Sequence, residues 1–135
     1  MYQKLVLVGN LGNDPVSRFT DSGTQVCNFS VATNRKYTDS ATKRKVSETT
    51  WFHVTVWGEL AQSCANYLKK GSQVLVEGRL SPDRTGNPKT FSRQDGSVGA
   101  TFEVTADTVR FMDKAENSES AQEDKNSRAK DEIPF

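Results

Sequence analysis

The period at which apolar residues recur constrains the fold most, because it changes from two to 3.6 in one segment alone. Residues 25–34 and 50–57 alternate between apolar and polar side chains, which is typical of half-buried strands. Residues 59–70 instead carry their apolar side chains at helical spacing, and Gly71 follows directly. The pattern therefore predicts a single helix within a chain of strands.

The order of the predicted elements indicates the fold class. We expect strands at 2–8, 25–34, 50–57, 73–80 and 100–112, with long loops at 35–49 and 81–99. Three strands, one helix and two further strands are the order of an OB-fold. The sequence therefore predicts an all-β, five-stranded antiparallel OB-fold barrel over residues 1–112, with the helix between strands three and four.

The last 23 residues differ in composition from this domain. Residues 113–130 carry no apolar side chain except alanine, which predicts a disordered linker. The five residues after it combine two acids with two large apolar side chains around a proline, and we expect them to dock in an apolar pocket with a basic rim. This tip comprises Asp131, Glu132, Ile133, Pro134 and Phe135. The alternative is that Phe135 folds back onto its own domain.

Charge and cysteine content narrow the ligand and the compartment. Residues 1–112 hold 14 basic and 10 acidic side chains, whereas residues 113–135 hold 4 and 7. A basic domain with an acidic tail suggests a polyanionic ligand. Cys27 and Cys64 lack metal-type spacing and lie in apolar contexts, so we expect buried free thiols in a reducing compartment. With no long apolar run and no signal-peptide pattern, we expect a cytoplasmic protein that does not contact a membrane.

The predicted third strand carries the strongest functional pattern. Its even positions are apolar, whereas its odd positions are Trp51, His53, Thr55 and Trp57. A core face seldom carries histidine and threonine between tryptophans, and a solvated face seldom carries tryptophan. Flat rings beside polar groups suit stacked nucleic-acid bases. The alternative is that both tryptophans close the ends of the barrel.

The two predicted loops strengthen this interpretation, because each places an aromatic ring among cations. The first loop surrounds Tyr37 with basic residues, and the second places Phe91 in the same stretch as Arg84. Two such loops beside an aromatic strand predict a clamp for nucleic acid. The basic side chains that we expect to contact DNA in the first loop are Arg35, Lys36, Lys43 and Lys45.

Several separated motifs resemble bacterial single-stranded DNA-binding proteins. They are residues 5–15 (LVLVGNLGNDP), 50–60 (TWFHVTVWGEL), 67–74 (YLKKGSQV) and the final IPF at 133–135. The resemblance implies a homotetramer of OB-folds that wraps single-stranded DNA by stacking and phosphate contacts. It also implies a cytoplasmic, nucleoid-associated protein of replication, recombination and repair, whose tip recruits the enzymes of those processes.

The resemblance assigns roles to individual residues. It implies that Trp51, Trp57, Tyr37 and Phe91 stack on bases, that Lys69 or Lys70 binds phosphate, and that Phe52 lies at a subunit interface. Because so small a barrel has a small core, we also expect Leu5, Val6 and Leu7 to be buried between subunits. His53 stands where many members have arginine, and the linker and acidic tip are shorter than in many members.

Three other classes of protein stay open on the residues alone. An RNA-binding OB module would share the stacking surface. An enzyme such as a nuclease is disfavoured by a single histidine and by the lack of a metal-type cluster or a phosphate-binding glycine loop, so we expect neither a metal nor a cofactor. A protein adaptor acting through the tip alone would not need the aromatic strand.

Overall fold

The computed structural model describes residues 1–112, and the predicted linker and docking tip at 113–135 lie outside the described residues. Within residues 1–112 the chain forms seven strands and one helix. These are β1 (Leu5–Leu11), β2 (Val16–Phe19), β3 (Gln25–Thr38), β4 (Lys45–Trp57), α1 (Glu59–Tyr67), β5 (Gln73–Leu80), β6 (Lys89–Ser92) and β7 (Val98–Phe111). No helix in this part of the chain is both long and apolar enough to cross a lipid bilayer.

Five of the strands form a closed barrel in the order β1-β5-β7-β4-β3, and β1 completes the ring by pairing with β3. The helix lies between the third and fourth barrel strands, β4 and β5, so the predicted OB-fold is confirmed. One pairing differs from the prediction, because β4 and β7 run parallel. In a closed ring of five strands the directions cannot alternate throughout, so at least one neighbouring pair has to be parallel.

The barrel interior is filled mainly by branched aliphatic side chains at alternate strand positions. On β4, Val54 and Val56 have no exposed surface, and Phe29 of β3 lies beside them in the same core. Helix α1 packs on β3 and contributes Ala61 and Cys64 to this core. Cys27 and Cys64 are both free and buried, as the sequence predicts.

Two glycines allow strands to approach closely where the barrel bends and closes. A Cβ atom on Gly9 would overlap the carbonyl oxygen of Ala32, at the place where β1 meets β3. A Cβ atom on Gly78 would overlap the carbonyl oxygen of Thr105, where the register of β5 against β7 shifts. Any larger residue at either position would push the paired strands apart.

Parts of both predicted loops are strand. β3 and β4 stay paired as far as Thr38 and Lys45, which leaves a short turn at the tip, and β6 pairs with the start of β7. Residues 81–88 remain a loop, as predicted. The predicted turn region after residue 15 likewise contains β2, which pairs with β3. These ribbons are mostly exposed and lack regular apolar alternation, which is the pattern by which a strand is predicted from sequence.

The helix is shorter than predicted. It ends at Tyr67, because Leu68 is extended with a ψ of 149°, and its N–H donates to the carbonyl oxygen of Cys64 over 3.0 Å. The two lysines that follow are held by other contacts. The backbone N–H of Lys69 donates to Oγ of Ser72, and that of Lys70 donates to Oδ1 of Asp14, 56 positions away in the sequence. A tertiary contact therefore ends the helix earlier than its periodicity suggests.

Candidate nucleic-acid interface

The outer face of β4 is formed by its odd-numbered residues, and it places both tryptophans on one surface. Trp51 is 53% exposed and Trp57 is 49% exposed, so neither ring acts as a buried plug at an end of the barrel. They are six positions apart, which corresponds to about 20 Å at roughly 3.3 Å per residue. Two different bases could therefore stack on them at once. We call this surface the tryptophan face; it comprises Asn28, Ser30 and Ala32 of β3 with Trp51, His53, Thr55 and Trp57 of β4.

Between the tryptophans the surface is polar and ordered by side-chain hydrogen bonds. Thr55 lies opposite Asn28, and its Oγ1 donates to Oδ1 of Asn28 over 2.8 Å. His53 lies beside Glu103 of the parallel strand β7, with 2.5 Å between Nδ1 and Oε2. The Glu103 side chain is only 16% exposed, so its carboxylate holds the imidazole from within the sheet. Nδ1 of His53 is therefore occupied, and Nε2 is the ring nitrogen left for a ligand.

The ribbon made by the ends of β3 and β4 separates the predicted basic residues into two sets. Cross-strand partners point to the same side, and the pairs Lys36–Ser47 and Thr38–Lys45 share the parity of Trp51. Lys36 and Lys45 therefore lie on the tryptophan face. Lys43 lies in the turn at the tip, with a positive φ of 55°.

Arg35 and Tyr37 lie on the opposite side of the same ribbon. The guanidinium carbon of Arg35 stands 4.9 Å above the centre of the Tyr37 ring, and Arg35 also pairs with Glu48 at 3.7 Å. The Tyr37 hydroxyl donates to the same carboxylate over 3.2 Å. The structure thus does not bring Tyr37 onto the tryptophan face, because five positions separate Trp51 from Val46, the cross-strand partner of Tyr37.

The β6–β7 hairpin presents the second predicted loop aromatic. Phe91 is 46% exposed and pairs with Gly99, and the guanidinium carbon of Arg93 lies 5.2 Å from its ring centre. The sequence places Arg93 in the same basic stretch as Phe91 but does not predict that it contacts DNA.

The turns next to these cations are built around ionised aspartates. Arg84 is exposed, and its neighbour Asp83 accepts the N–H of Asn87 and the hydroxyl of Thr85, which hold the pKa of Asp83 below its usual value. The Ser97 hydroxyl likewise lowers the pKa of Asp95 in the turn beyond Arg93. Each basic residue therefore has a carboxylate nearby in the chain, which reduces the local positive field.

The predicted subunit-contact residues differ in how accessible they are. Leu7 lies in the barrel core and is 5% exposed, so the prediction that it meets another subunit is wrong for its side chain. Alternation instead exposes its neighbours Val6 and Val8. Leu5 is half-buried against the core. Phe52 is also half-buried, and its ring centre lies 5.7 Å from that of Phe102, which is exposed.

Residues 2–112 match the sequence model of the single-strand binding protein family. The chain belongs to this family. The single-strand binding proteins are DNA-binding proteins and not enzymes, as the sequence predicts. Within residues 1–112, no three histidine, cysteine or carboxylate side chains come together in a way that could hold a metal ion.

Named relatives agree with this membership. Over 91 residues the chain is 45% identical to single-stranded DNA-binding protein 1 of Chlorobaculum tepidum, a match that covers 67% of this chain and 56% of the relative. Over 113 residues it is 37% identical to the single-stranded DNA-binding protein of Oceanobacillus iheyensis, covering 84% and 65%. The chain thus spans less than two thirds of the length of either single-strand binding relative.

A solved structure supports the fold assignment. The single-strand binding protein of Plasmodium falciparum, determined in complex with single-stranded DNA, superposes with a TM-score of 0.67. The match covers 84% of this chain and 96% of the other, at 24% sequence identity. At this sequence identity the similarity shows a shared OB-fold and nothing about function.

Proposed function

We propose that this protein binds single-stranded DNA without sequence preference and protects it during replication, recombination and repair. The observation that carries the proposal is the pair of half-exposed tryptophans on one barrel face, with Lys36 and Lys45 on the same side. Its relatives from Chlorobaculum tepidum and Oceanobacillus iheyensis are named for the same ligand.

Two kinds of contact would supply the affinity. Bases stack on Trp51 and Trp57, and any base can do so because each has a π-face. Lysines beside the stack neutralise phosphates and release counterions, which makes binding depend on salt. Neither contact reads the edge of a base, so this mechanism predicts binding with little sequence preference.

Replacing each tryptophan tests the assignment of the stacking surface. We expect Trp51→Ala and Trp57→Ala each to cost roughly 1–3 kcal/mol of binding free energy, a loss of about fivefold to 150-fold in affinity. Fluorescence anisotropy with a labelled oligothymidine would measure the loss. Phe19→Ala is the matched control, because Phe19 is an exposed ring on β2 outside the tryptophan face.

If both tryptophan variants fold and bind as tightly as the wild type, the stacking assignment is wrong. The same titration with RNA of matched sequence separates a DNA-binding protein from an RNA-binding OB module. Equal or tighter binding to RNA would contradict the proposal.

We further propose that the protein is a homotetramer. Val6 and Val8 form an exposed apolar strip on β1, and within residues 1–112 β1 pairs with β3 only through Asn10 and Leu11. The remaining part of that strand edge is open, and open edges tend to pair with another chain. Phe52 and Phe102 form a second apolar patch. One self-complementary patch joins two chains, and a second joins two such dimers.

We also propose that residues 131–135 recruit replication and repair proteins to the bound DNA. Their composition supports this, because two acids precede Ile133 and Phe135 at the end of a polar segment. Such a protein would act in the bacterial cytoplasm, at the nucleoid where single-stranded DNA is exposed.

A further inference from the structure

We propose that Gly12 is a positioning residue for DNA binding: its bare Cα is the platform on which the Trp51 ring lies, and its loop links that ring to Lys70. The inference rests on the proposed function, because it concerns how the stacking surface is held. It adds to the proposed DNA-binding site a residue that has no polar or aromatic group of its own.

The contact between Gly12 and Trp51 leaves no room for a side chain. A Cβ atom on Gly12 would lie 2.7 Å from Cη2 of Trp51, closer still to Cζ3, and 3.5 Å from Cε3. All three atoms belong to the six-membered ring of the indole. Gly12 is not among the residues with positive φ, so its backbone conformation does not require glycine. The reason for glycine at this position is therefore the space that the Trp51 ring occupies.

The platform is fixed to the barrel by short hydrogen bonds. The N–H of Gly12 donates to the carbonyl oxygen of Ser30 over 3.0 Å, and the N–H of Ser30 donates to Oδ1 of Asn13 over 2.9 Å. Ser30 lies on β3, directly opposite His53 of the tryptophan face. Since the loop is tied to the sheet that carries Trp51, an added methyl group would move the ring and not the loop.

The same loop also holds the backbone of Lys70. Oδ1 of Asp14 accepts the backbone N–H of Lys70 over 2.8 Å, and the N–H of Gly71 donates to the carbonyl oxygen of Leu11 over 2.9 Å. Residues 11–14 therefore contact both the stacking ring and the segment with the predicted phosphate-binding lysines. This loop would therefore set the distance between a base stacked on Trp51 and a phosphate bound by Lys70.

A similar contact between a glycine and an aromatic ring occurs in the β6–β7 hairpin. A Cβ atom on Gly99 would lie 2.5 Å from Cζ of Phe91 and 2.7 Å from a guanidinium nitrogen of Arg93. At Gly99 an aromatic ring and a cation both lie over the glycine. Gly99→Ala is therefore a matched control, since it adds the same methyl group under a different ring.

The test uses the full chain with Trp57→Phe, which leaves Trp51 as the sole tryptophan of two. In this parent, Gly12→Ala should shift the emission of Trp51 and increase its quenching by acrylamide in the absence of DNA. Affinity for oligothymidine should fall roughly fivefold to tenfold, less than the loss from Trp51→Ala. Gly99→Ala should leave Trp51 emission unchanged.

A double-mutant cycle separates positioning from a general structural role. In a Trp51→Ala background, Gly12→Ala should not weaken DNA binding further, because the ring that it displaces is absent. If Gly12→Ala unfolds the Trp57→Phe protein, the same change should still allow the Trp51→Ala protein to fold. A further loss of affinity there, or unchanged emission and affinity in the parent, would overturn the proposal.

These outcomes are distinguishable from failure of the proposed function. A parent protein that binds no single-stranded DNA would contradict the function itself. The emission and acrylamide quenching of DNA-free protein would still decide whether Gly12 sets the position of the Trp51 ring.

Discussion

At the residue scale, the two buried thiols show how the core controls ionisation. Burial raises the pKa of Cys27, and it raises the pKa of Cys64 to about 12, with a further contribution from the neighbouring Cys27. Both thiols are consequently protonated at neutral pH and are poor nucleophiles. They act as small apolar side chains between β3 and α1.

The raised pKa of Cys64 makes stability depend on pH. Its thiol ionises in the unfolded chain above about pH 8.5, whereas the folded protein keeps the proton up to about pH 12. The folded state thus binds more protons in this window, so the free energy of unfolding should fall as pH rises. Cys64→Ala should flatten the fall by up to about 1.4 kcal/mol per pH unit, as measured by urea unfolding at pH 7, 9 and 10.5. Identical pH slopes would contradict this prediction.

At the scale of elements, the β3–β4 ribbon matters because two neighbouring residues on it face opposite ways. Lys36 lies on the tryptophan face, whereas Arg35 lies on the other side and is engaged with Tyr37 and Glu48. The amino-acid sequence assigns both to one basic loop. The strand pairing indicates that only one of them stands beside the proposed stack.

This difference can be measured through salt dependence. Lys36→Gln with Lys45→Gln should lower the log–log slope of affinity against salt by about 1.4, which is roughly 0.7 for each lost phosphate contact on a single strand. Arg35→Gln is the control on the opposite face and should change the slope by less than half as much. A larger effect from Arg35 would show that DNA follows the other side of the ribbon.

At the scale of the whole molecule, assembly should depend on the outer face of β1. Val6→Glu with Val8→Glu would place charges where the proposed subunit contact is apolar, and burying them unpaired is costly. We expect the tetramer mass to fall in light scattering at micromolar concentration. Val16→Glu, at an exposed valine on β2, should leave the mass unchanged. A wild-type protein with the mass of a monomer would refute the assembly itself.

The tip can be tested separately from the barrel. Deleting Ile133, Pro134 and Phe135 should abolish capture of replication and repair proteins, and it should leave tetramer mass and DNA affinity in place. Scrambling the order of residues 131–135 is the control for composition. Loss of barrel stability on deletion would support the alternative that Phe135 packs on its own domain.

The sequence alone determined the elements whose pattern is local. Alternation is a property of the extended backbone, so the spacing of Trp51, His53, Thr55 and Trp57 is enough to assign all four to one face. The helix and the order of the strands along the chain follow from the same kind of reasoning. Leu7 shows its limit, since an apolar run does not say which side chains point inward.

Only the tertiary structure decided the contacts between distant segments. The ring of Trp51 lies on Gly12, His53 meets Glu103 fifty positions away, and Lys70 is held by Asp14. The polar ribbons and the side on which Tyr37 lies also depend on strand register. Register is set by pairing across the sheet, and no local periodicity encodes it where both faces of a strand are polar.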